Sequence, residues 1–259
     1  MGRRTSREQF DRQATHYDGV WNQWTEESLD WLRQDGRIAT TDRVLDVATG
    51  AAFTARYVAG FAAQVTGLDV SEGMLREARM RTAADGLSNL RFCQGAAEAI
   101  PFASESFDVV TCRIAPHHFD SVPRFIEQSR RVLTTGGRLI IVDTTVPDDV
   151  PEIDEWQNRV ELLRDPSHQR NYSPGEWGRM VEQAGFAIDV LDARGGRIAM
   201  TLNEWLKKGG CTGEAEREVR RMFATAPDSV RDALGVEALG ADGDFAFHWI
   251  RVLIAARKS

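Results

Sequence analysis

The chain has 259 residues, 42% of them hydrophobic, which suffices for one large α/β domain with additions and a sizeable core. Its formal charge is −7 and its acidic and basic residues are interspersed, so no broad basic stripe offers itself to nucleic-acid phosphates and a small-molecule partner is expected instead. No stretch approaches the roughly 20 apolar residues that span a bilayer, and the charged opening MGRRTSREQF leads into no apolar signal core, which makes the cytoplasm the expected compartment.

Residues 7 to 34 carry Phe10, Ala14, Tyr17, Trp21, Trp24 and Trp31 mostly at three- and four-residue steps, the period of amphipathic helices, and define an N-terminal helical cap over 1–40. From 41 to 145, short runs rich in Val, Ile or Leu (RVLDV, QVTGLD, LRFCQ, FDVVTC, RLIIVD) alternate with helical patterns. Such runs read as buried parallel strands, and the alternation predicts a doubly wound sheet. Ser71 stands where a helix through Met74 and Ala78 needs its cap, and LTTGG at 133–137 reads as a helix end and turn. A helical lid segment and a sixth strand are expected over 146–196, with Gly185 ending the helix that contains WGRMVEQA. Residues 197–243 read as a polar helical insertion, and FAFHWIRVLIAAR within 244–259 as a single closing strand. Cys93, Cys112 and Cys211 lack CxxC spacing, so buried thiols are expected rather than a metal site or disulfides.

In open α/β sheets ligands bind outside the carboxyl ends of the strands. In DVATGAA, Asp46 closes the first strand and Gly50 sits in a turn of small residues that lets a ligand approach the backbone. A dinucleotide turn requires G-x-G-x-x-G, of which only Gly50 is present, and an acidic residue at the turn opposes a phosphate but suits an ammonium group. Asp69, ending GLD, stands where a carboxylate accepts hydrogen bonds from ribose hydroxyls, with Val70 and Met74 packing on adenine and sugar. QGAAEAIPF, TCRIAPHHF and IIVD supply the ends of the next three strands.

Taken in order and spacing, VLDVATG, GLDVSEGML, GAAEAIPF, FDVVTCR, HHF and RVLTTGGRLIIVD resemble the class I S-adenosylmethionine-dependent methyltransferases, in particular the small-molecule group that includes the quinone-biosynthesis C-methyltransferases. The resemblance implies a Rossmann-like seven-stranded α/β fold, S-adenosylmethionine as cofactor and a small organic acceptor. It further implies Asp46, Ala48 and Gly50 around the methionine moiety, Asp69 at the ribose, Ala96, Ala97 and Glu98 at the adenine rim, Arg113 beside the methyl, and Tyr17 on a helix closing over the cofactor. Ala48 and Ala52 replace glycines usual in the family, and Ala96 replaces a frequent aspartate. Each alanine is accommodated at negative φ and costly in a left-handed conformation, so a weakened but working site is expected.

The sulfonium activates the methyl, and the protein has chiefly to align the acceptor and exclude water. A base is needed only where the acceptor must lose a proton; His118 is the preferred candidate, with His117 second, and the alternative for both is a packed loop histidine. Without an NPPY- or DPPY-like motif, transfer to oxygen or carbon is favoured over nitrogen. RDPSHQRNYS at 164–173 is either a salt-bridged surface loop or a lid over the acceptor. The helical layers form either such a lid or a homodimer contact. The rival classes are a Rossmann oxidoreductase using a nicotinamide cofactor, and a non-catalytic adenosyl-ligand binding protein that keeps the fold.

Overall fold

The computed structural model describes residues 5–14, 26–195, 199–240 and 243–259. In chain order, α1 (Ser6–Gln13) and α2 (Glu27–Gly36) precede β1 (Arg43–Val47), α3 (Phe53–Ala59), β2 (Gln64–Asp69), α4 (Glu72–Ala84), β3 (Leu90–Gln94), β4 (Phe107–Arg113), α5 (Val122–Val132) and β5 (Leu133–Thr144). Then follow α6 (Pro151–Arg164), α7 (Pro174–Gln183), β6 (Phe186–Gly195), β7 (Met200–Thr201), α8 (Leu202–Gly209), α9 (Gly213–Ala224), α10 (Asp228–Leu234), β8 (Glu237–Leu239), β9 (Asp244–Phe247) and β10 (Ile250–Lys258).

The Val-, Ile- and Leu-rich runs become strands because both faces of the sheet are covered by helices, which suits continuous apolar sequence. The sheet has seven strands in the order β3-β2-β1-β4-β5-β10-β6. The first five pair in parallel, whereas β10 is antiparallel to both β5 and β6. This is the doubly wound, Rossmann-like sheet expected from the sequence, with its last strand reversed and slotted inside the edge. One face packs on α5 and α7 through Phe125, Ile126, Trp177 and Val181, the other on α2, α3 and α4 through Leu32, Ala55, Val58 and Ala78. Strand order reverses between β1 and β4, so their carboxyl ends open the crevice where such sheets bind ligands.

Local signals explain the helix boundaries. The Ser71 hydroxyl accepts from the Met74 amide and starts α4, and Ser173 forms a capping box with Glu176 at the start of α7. Gly185, at φ 84°, takes the left-handed position just past α7.

The structure corrects three expectations. LTTGG does mark a helix end, since α5 stops at Val132, but it is the irregular start of β5 and not a turn: Leu133 already pairs with Phe107, and the register shift that follows is absorbed where Gly136 adopts φ 75°. FAFHWIRVLIAAR is not one strand. It divides at His248 and Trp249, so that β9 joins β7 and β8 in a separate three-stranded sheet while β10 completes the main one. The physical reason is burial: β9 alternates, with Phe245 and Phe247 inward, whereas β10 is buried without a break from Arg251 to Ala256, on both faces of the sheet. Finally, the 197–243 insertion is no polar appendage. Trp205, Val219, Phe223, Val230 and Leu234 pack with Trp156 and Val160 of α6 into a second hydrophobic core.

Cys112 and Cys211 are buried free thiols and Cys93 is half-buried. Among the described residues no helix is long and apolar enough to cross a membrane.

Candidate active site

The pleat of the sheet sets up the turn after β1. Asp46 lies in register with Gly67 on β2 and Thr111 on β4, and Thr111 Oγ1 donates to Asp46 Oδ1 at 2.7 Å while Thr49 Oγ1 donates to Oδ2 at 2.6 Å. Gly67 makes room for this fold-back, since a Cβ there would meet the Thr49 methyl at 2.9 Å. Asp46 is therefore buried behind the turn, with both oxygens engaged by hydroxyls. Burial raises its pKa to about 6 against the pull of Thr49, Thr111 and the Arg113 charge.

The turn runs through left-handed residues: Ala48 at φ 55°, Gly50 at 53° and Ala52 at 64°. Both alanines thus occupy the conformation that is costly for a side chain. The Gly50 amide donates to Asp69 Oδ2 at 2.7 Å, and the Ser71 amide to Oδ1 at 2.9 Å. Asp69 is held at the cavity wall by these bonds, and burial raises its pKa to about 6 despite them.

A cavity of about 230 Å³ opens beyond this turn. Ala48, Gly50, Asp69, Val70 and Met74 line one side, and Ala96, Ala97, Glu98, Arg113 and His118 line the other. Asp46 and His117 do not line it. Tyr17 lies outside the described residues. Glu98 accepts from the Asp120 and Ser121 amides at 3.0 and 3.4 Å, and so fixes the approach to α5. Arg113 donates from Nε to Thr54 Oγ1 at 2.8 Å and from Nη1 to Ser28 Oγ at 3.1 Å, tying α2 and α3 beneath the cavity floor.

The histidines divide their roles. His117 is buried beside Asp143, which accepts its amide at 2.8 Å and contacts its Nδ1 at 2.6 Å. Burial works against its charge, but Asp143, joined by Glu161 and Asp165, outweighs this and raises the pKa to about 9. His118 turns toward the cavity, with Nδ1 at 3.1 Å from Ser167 Oγ. Ser167 Oγ donates its single proton to Asp165 Oδ1 at 2.7 Å, so His118 must donate from Nδ1 and keep the Nε2 lone pair. Burial, reinforced by the neighbouring His117 charge, depresses its pKa to about 3. The RDPSH segment is accordingly not a salt-bridged surface loop: Asp165, Ser167 and His168 are buried against the sheet end, while Arg170 pairs with Asp154 and Glu176 outside.

Sequence reasoning missed several residues of the site. Phe10 of α1 lines the cavity and meets the His118 ring edge-on at 5.0 Å, and Ser6 Oγ donates to the His118 carbonyl at 2.9 Å. Asp11 accepts from Ser71 Oγ at 2.6 Å and from the Gly73 amide at 3.1 Å, locking α1 across the start of α4. The signal was present as the i, i+1 pair Phe10–Asp11 on an amphipathic helix, but its partners are more than fifty residues away. Ile114, a β-branched residue at φ 53°, also lines the cavity directly after Arg113. Strain of this kind gathers at functional sites.

A mainly parallel seven-stranded sheet with one reversed strand, a small-residue turn after β1 and a carboxylate ending β2 define a class I S-adenosylmethionine-dependent methyltransferase. Comparison with known proteins gives the same answer. A family described as a methyltransferase domain matches residues 45–141. The chain is 34% identical over 206 residues to the uncharacterized methyltransferase YcgJ of Bacillus subtilis, covering 80% of each chain. The crystal structure of YcgJ superposes with a TM-score of 0.84 over 90% of this chain and 98% of that one, at 32% identity. A putative methyltransferase of Bacillus halodurans gives 0.83 at 32% identity, over 90% and 99%. A demethylmenaquinone methyltransferase of Bacteroides fragilis is 29% identical over 153 residues, 55% of this chain and 61% of its own. The chain belongs to the small-molecule class I methyltransferases and is an S-adenosylmethionine-dependent enzyme. The nicotinamide oxidoreductase and the non-catalytic binding protein are thereby set aside.

Proposed function

We propose that this enzyme binds S-adenosylmethionine in the cavity after β1 and β2 and methylates an oxygen or carbon of a small organic acceptor held beside His118. The donor set fits the cofactor. The Asp69 oxygens accept the Gly50 and Ser71 amides, and the carboxylate keeps lone pairs that ribose hydroxyls can use. A Cβ at Gly50 would meet nothing within 4 Å, so the turn is open on the side a ligand approaches. The Ala52 methyl is buried in the core below the turn, and Ala48 alone of the two alanines borders the cavity. In this reading Ala48 and Gly50 adjoin the methionine moiety, Val70 and Met74 the sugar and base, and Ala96, Ala97 and Glu98 the adenine rim. Asp46 acts one step back, by holding Thr49 and hence the turn, rather than by gripping the ammonium group itself.

When bound, the cofactor supplies an electrophilic methyl on a sulfonium. The chain's own residues supply alignment, dryness and a proton acceptor. Phe10 and Phe119 give the acceptor side of the cavity aromatic walls, and α1 covers it. His118 Nε2 has no partner among the described residues and accepts the acceptor's proton. The observation that carries the proposal is the Asp165–Ser167–His118 relay, because it commits Nδ1–H and leaves the Nε2 lone pair facing the cavity. The pKa depressed to about 3 keeps His118 neutral at ordinary pH, so Nε2 stands at the cavity as an unprotonated lone pair.

Incubation of the enzyme with a metabolite extract and methyl-labelled S-adenosylmethionine, read by mass spectrometry, identifies the acceptor as the compound that gains label. With that acceptor, His118→Gln lowers kcat by on the order of a hundredfold or more while cofactor affinity in calorimetry is unchanged. Undiminished turnover in that variant refutes the base, and label appearing only on nitrogen refutes the acceptor class.

A further inference from the structure

Behind His118, away from the cavity, lies a polar cluster that methyl transfer does not use. His117 comes from the turn after β4, Glu161 from the last turn of α6 and His168 from the loop beyond it. Their side chains are 7%, 10% and 1% exposed. One ligand-capable atom from each lies within 4.8 Å of the other two.

The surroundings fix which atoms face inward. Asn158 Oδ1 accepts the Asn171 amide at 2.7 Å, and Asn158 Nδ2 donates to Asp154, so toward His168 Asn158 offers only an acceptor. His168 Nε2, 3.0 Å from that oxygen, therefore carries the proton, and Nδ1 is a lone pair. That Nδ1 is buried with no hydrogen-bond partner. It faces Glu161 Oε2 at 3.7 Å, while Glu161 Oε1 accepts from Asn171 Nδ2 at 3.0 Å. His117 is anchored through Nδ1 on Asp143, so its Nε2 is the atom left to face inward, and an ion bound there takes the place of the proton that Nε2 carries in the free protein, which is released to solvent.

A lone pair and a carboxylate oxygen facing each other in a dry interior repel, and 3.7 Å is too long for one proton to bridge. It is close to the edge of about 3.3 Å that separates two ligands on a tetrahedral metal with bonds of roughly 2.0–2.1 Å. Two imidazoles and one carboxylate form a donor set suited to zinc or ferrous iron. Each donor also has an outer partner of the kind that orients metal ligands: Asp143 behind His117, Asn158 behind His168, and Asn171 behind Glu161.

We propose that His117 Nε2, Glu161 Oε2 and His168 Nδ1 bind a first-row divalent transition-metal ion. The ion clamps the 165–171 loop and the end of α6 onto the end of the sheet. Because Ser167 of that loop anchors His118, the clamp is a positioning element for the catalytic cavity and not a member of it. It accounts at once for the orphaned nitrogen and for the concentration of Asp143, Glu161 and Asp165 in one buried region.

The test uses the full chain, stripped with a chelator and then given Zn²⁺ alone or Co²⁺ alone. Metal analysis after desalting is expected to find one equivalent of zinc per chain, and cobalt to give visible d–d bands of a nitrogen–oxygen site. Glu161→Gln and His168→Asn lower the affinity about a hundredfold or more, Asn158→Ala about tenfold, and His248→Ala, outside the cluster, leaves it unchanged. Retention of less than about a tenth of an equivalent by the unaltered protein overturns the proposal, as does full retention by folded His168→Asn. X-ray absorption on the zinc-loaded, unaltered protein decides independently of any variant: nitrogen and oxygen neighbours support the site, and sulfur neighbours overturn it.

Discussion

The left-handed alanines make the turn after β1 open to a direct measurement of backbone strain. Ala52 (φ 64°) and Ala78, in the middle of α4, are both fully buried in the same cluster. Replacing either by glycine removes one buried methyl, worth about 0.8 kcal/mol, and loosens the unfolded chain by about the same amount in both cases. At Ala78 these losses add to give about 2 kcal/mol, since helical glycine costs about 1 kcal/mol relative to alanine. At Ala52 the substitution also relieves a left-handed alanine, worth about 1–2 kcal/mol, which offsets most of the losses and leaves a net destabilisation of about 0–1 kcal/mol. Urea unfolding at constant m reads both values. The methyl and unfolded-state contributions cancel in the comparison, so the expected gap of about 1–2 kcal/mol isolates the strain. A gap below about 0.5 kcal/mol means that the turn does not adopt this conformation, and the close backbone approach inferred for the cofactor goes with it.

Cofactor affinity is expected to weaken as the solution is acidified. With pKa values raised to about 6, Asp46 and Asp69 take up protons as pH falls through that value, and a protonated Asp69 is a poorer acceptor for hydroxyls. Calorimetry should give a dissociation constant about tenfold higher at about pH 5 than at about pH 7, and Asp69→Asn should flatten that profile. The same shifts act oppositely on folding of the free protein: their contribution is full below the unfolded carboxylate pKa and is lost as pH rises through about 6. Ser167→Ala frees the His118 Nδ1 anchor and is expected to lower kcat on the order of tenfold to a hundredfold at unchanged cofactor affinity. An unaltered kcat in that variant separates the relay from catalysis.

The strands were legible because continuous apolar runs bounded by small or acidic residues have few other solutions, and Ser71 was legible because its cap is local. What escaped depended on partners distant in sequence. Asp46 and Asp69 look alike as strand-end carboxylates, yet Asp46 stands one residue before the end of β1, where Thr111 of the neighbouring strand claims it. The left-handed Ala48 and Ala52 were hidden because alanine ordinarily signals negative φ. The division of the last apolar run was hidden because alternating β9 and β10, buried over Arg251–Ala256, are separated only by His248 and Trp249. The cysteine count gave no hint of a metal site, since the donors proposed for one are histidines and a glutamate from three separate segments.

The reversed strand has a consequence for synthesis. Every described residue of the cavity, and the loop that braces His118, has emerged by residue 171, yet β5 and β6 still lack the strip that joins them. Until residues 250–258 arrive, β5 and β6 each lack the strand partner that β10 supplies, and their backbone edges stay unpaired. Such edges recruit foreign strands. A ribosome that stalls within the helical insertion therefore releases a product with its chemistry assembled and its sheet unsealed.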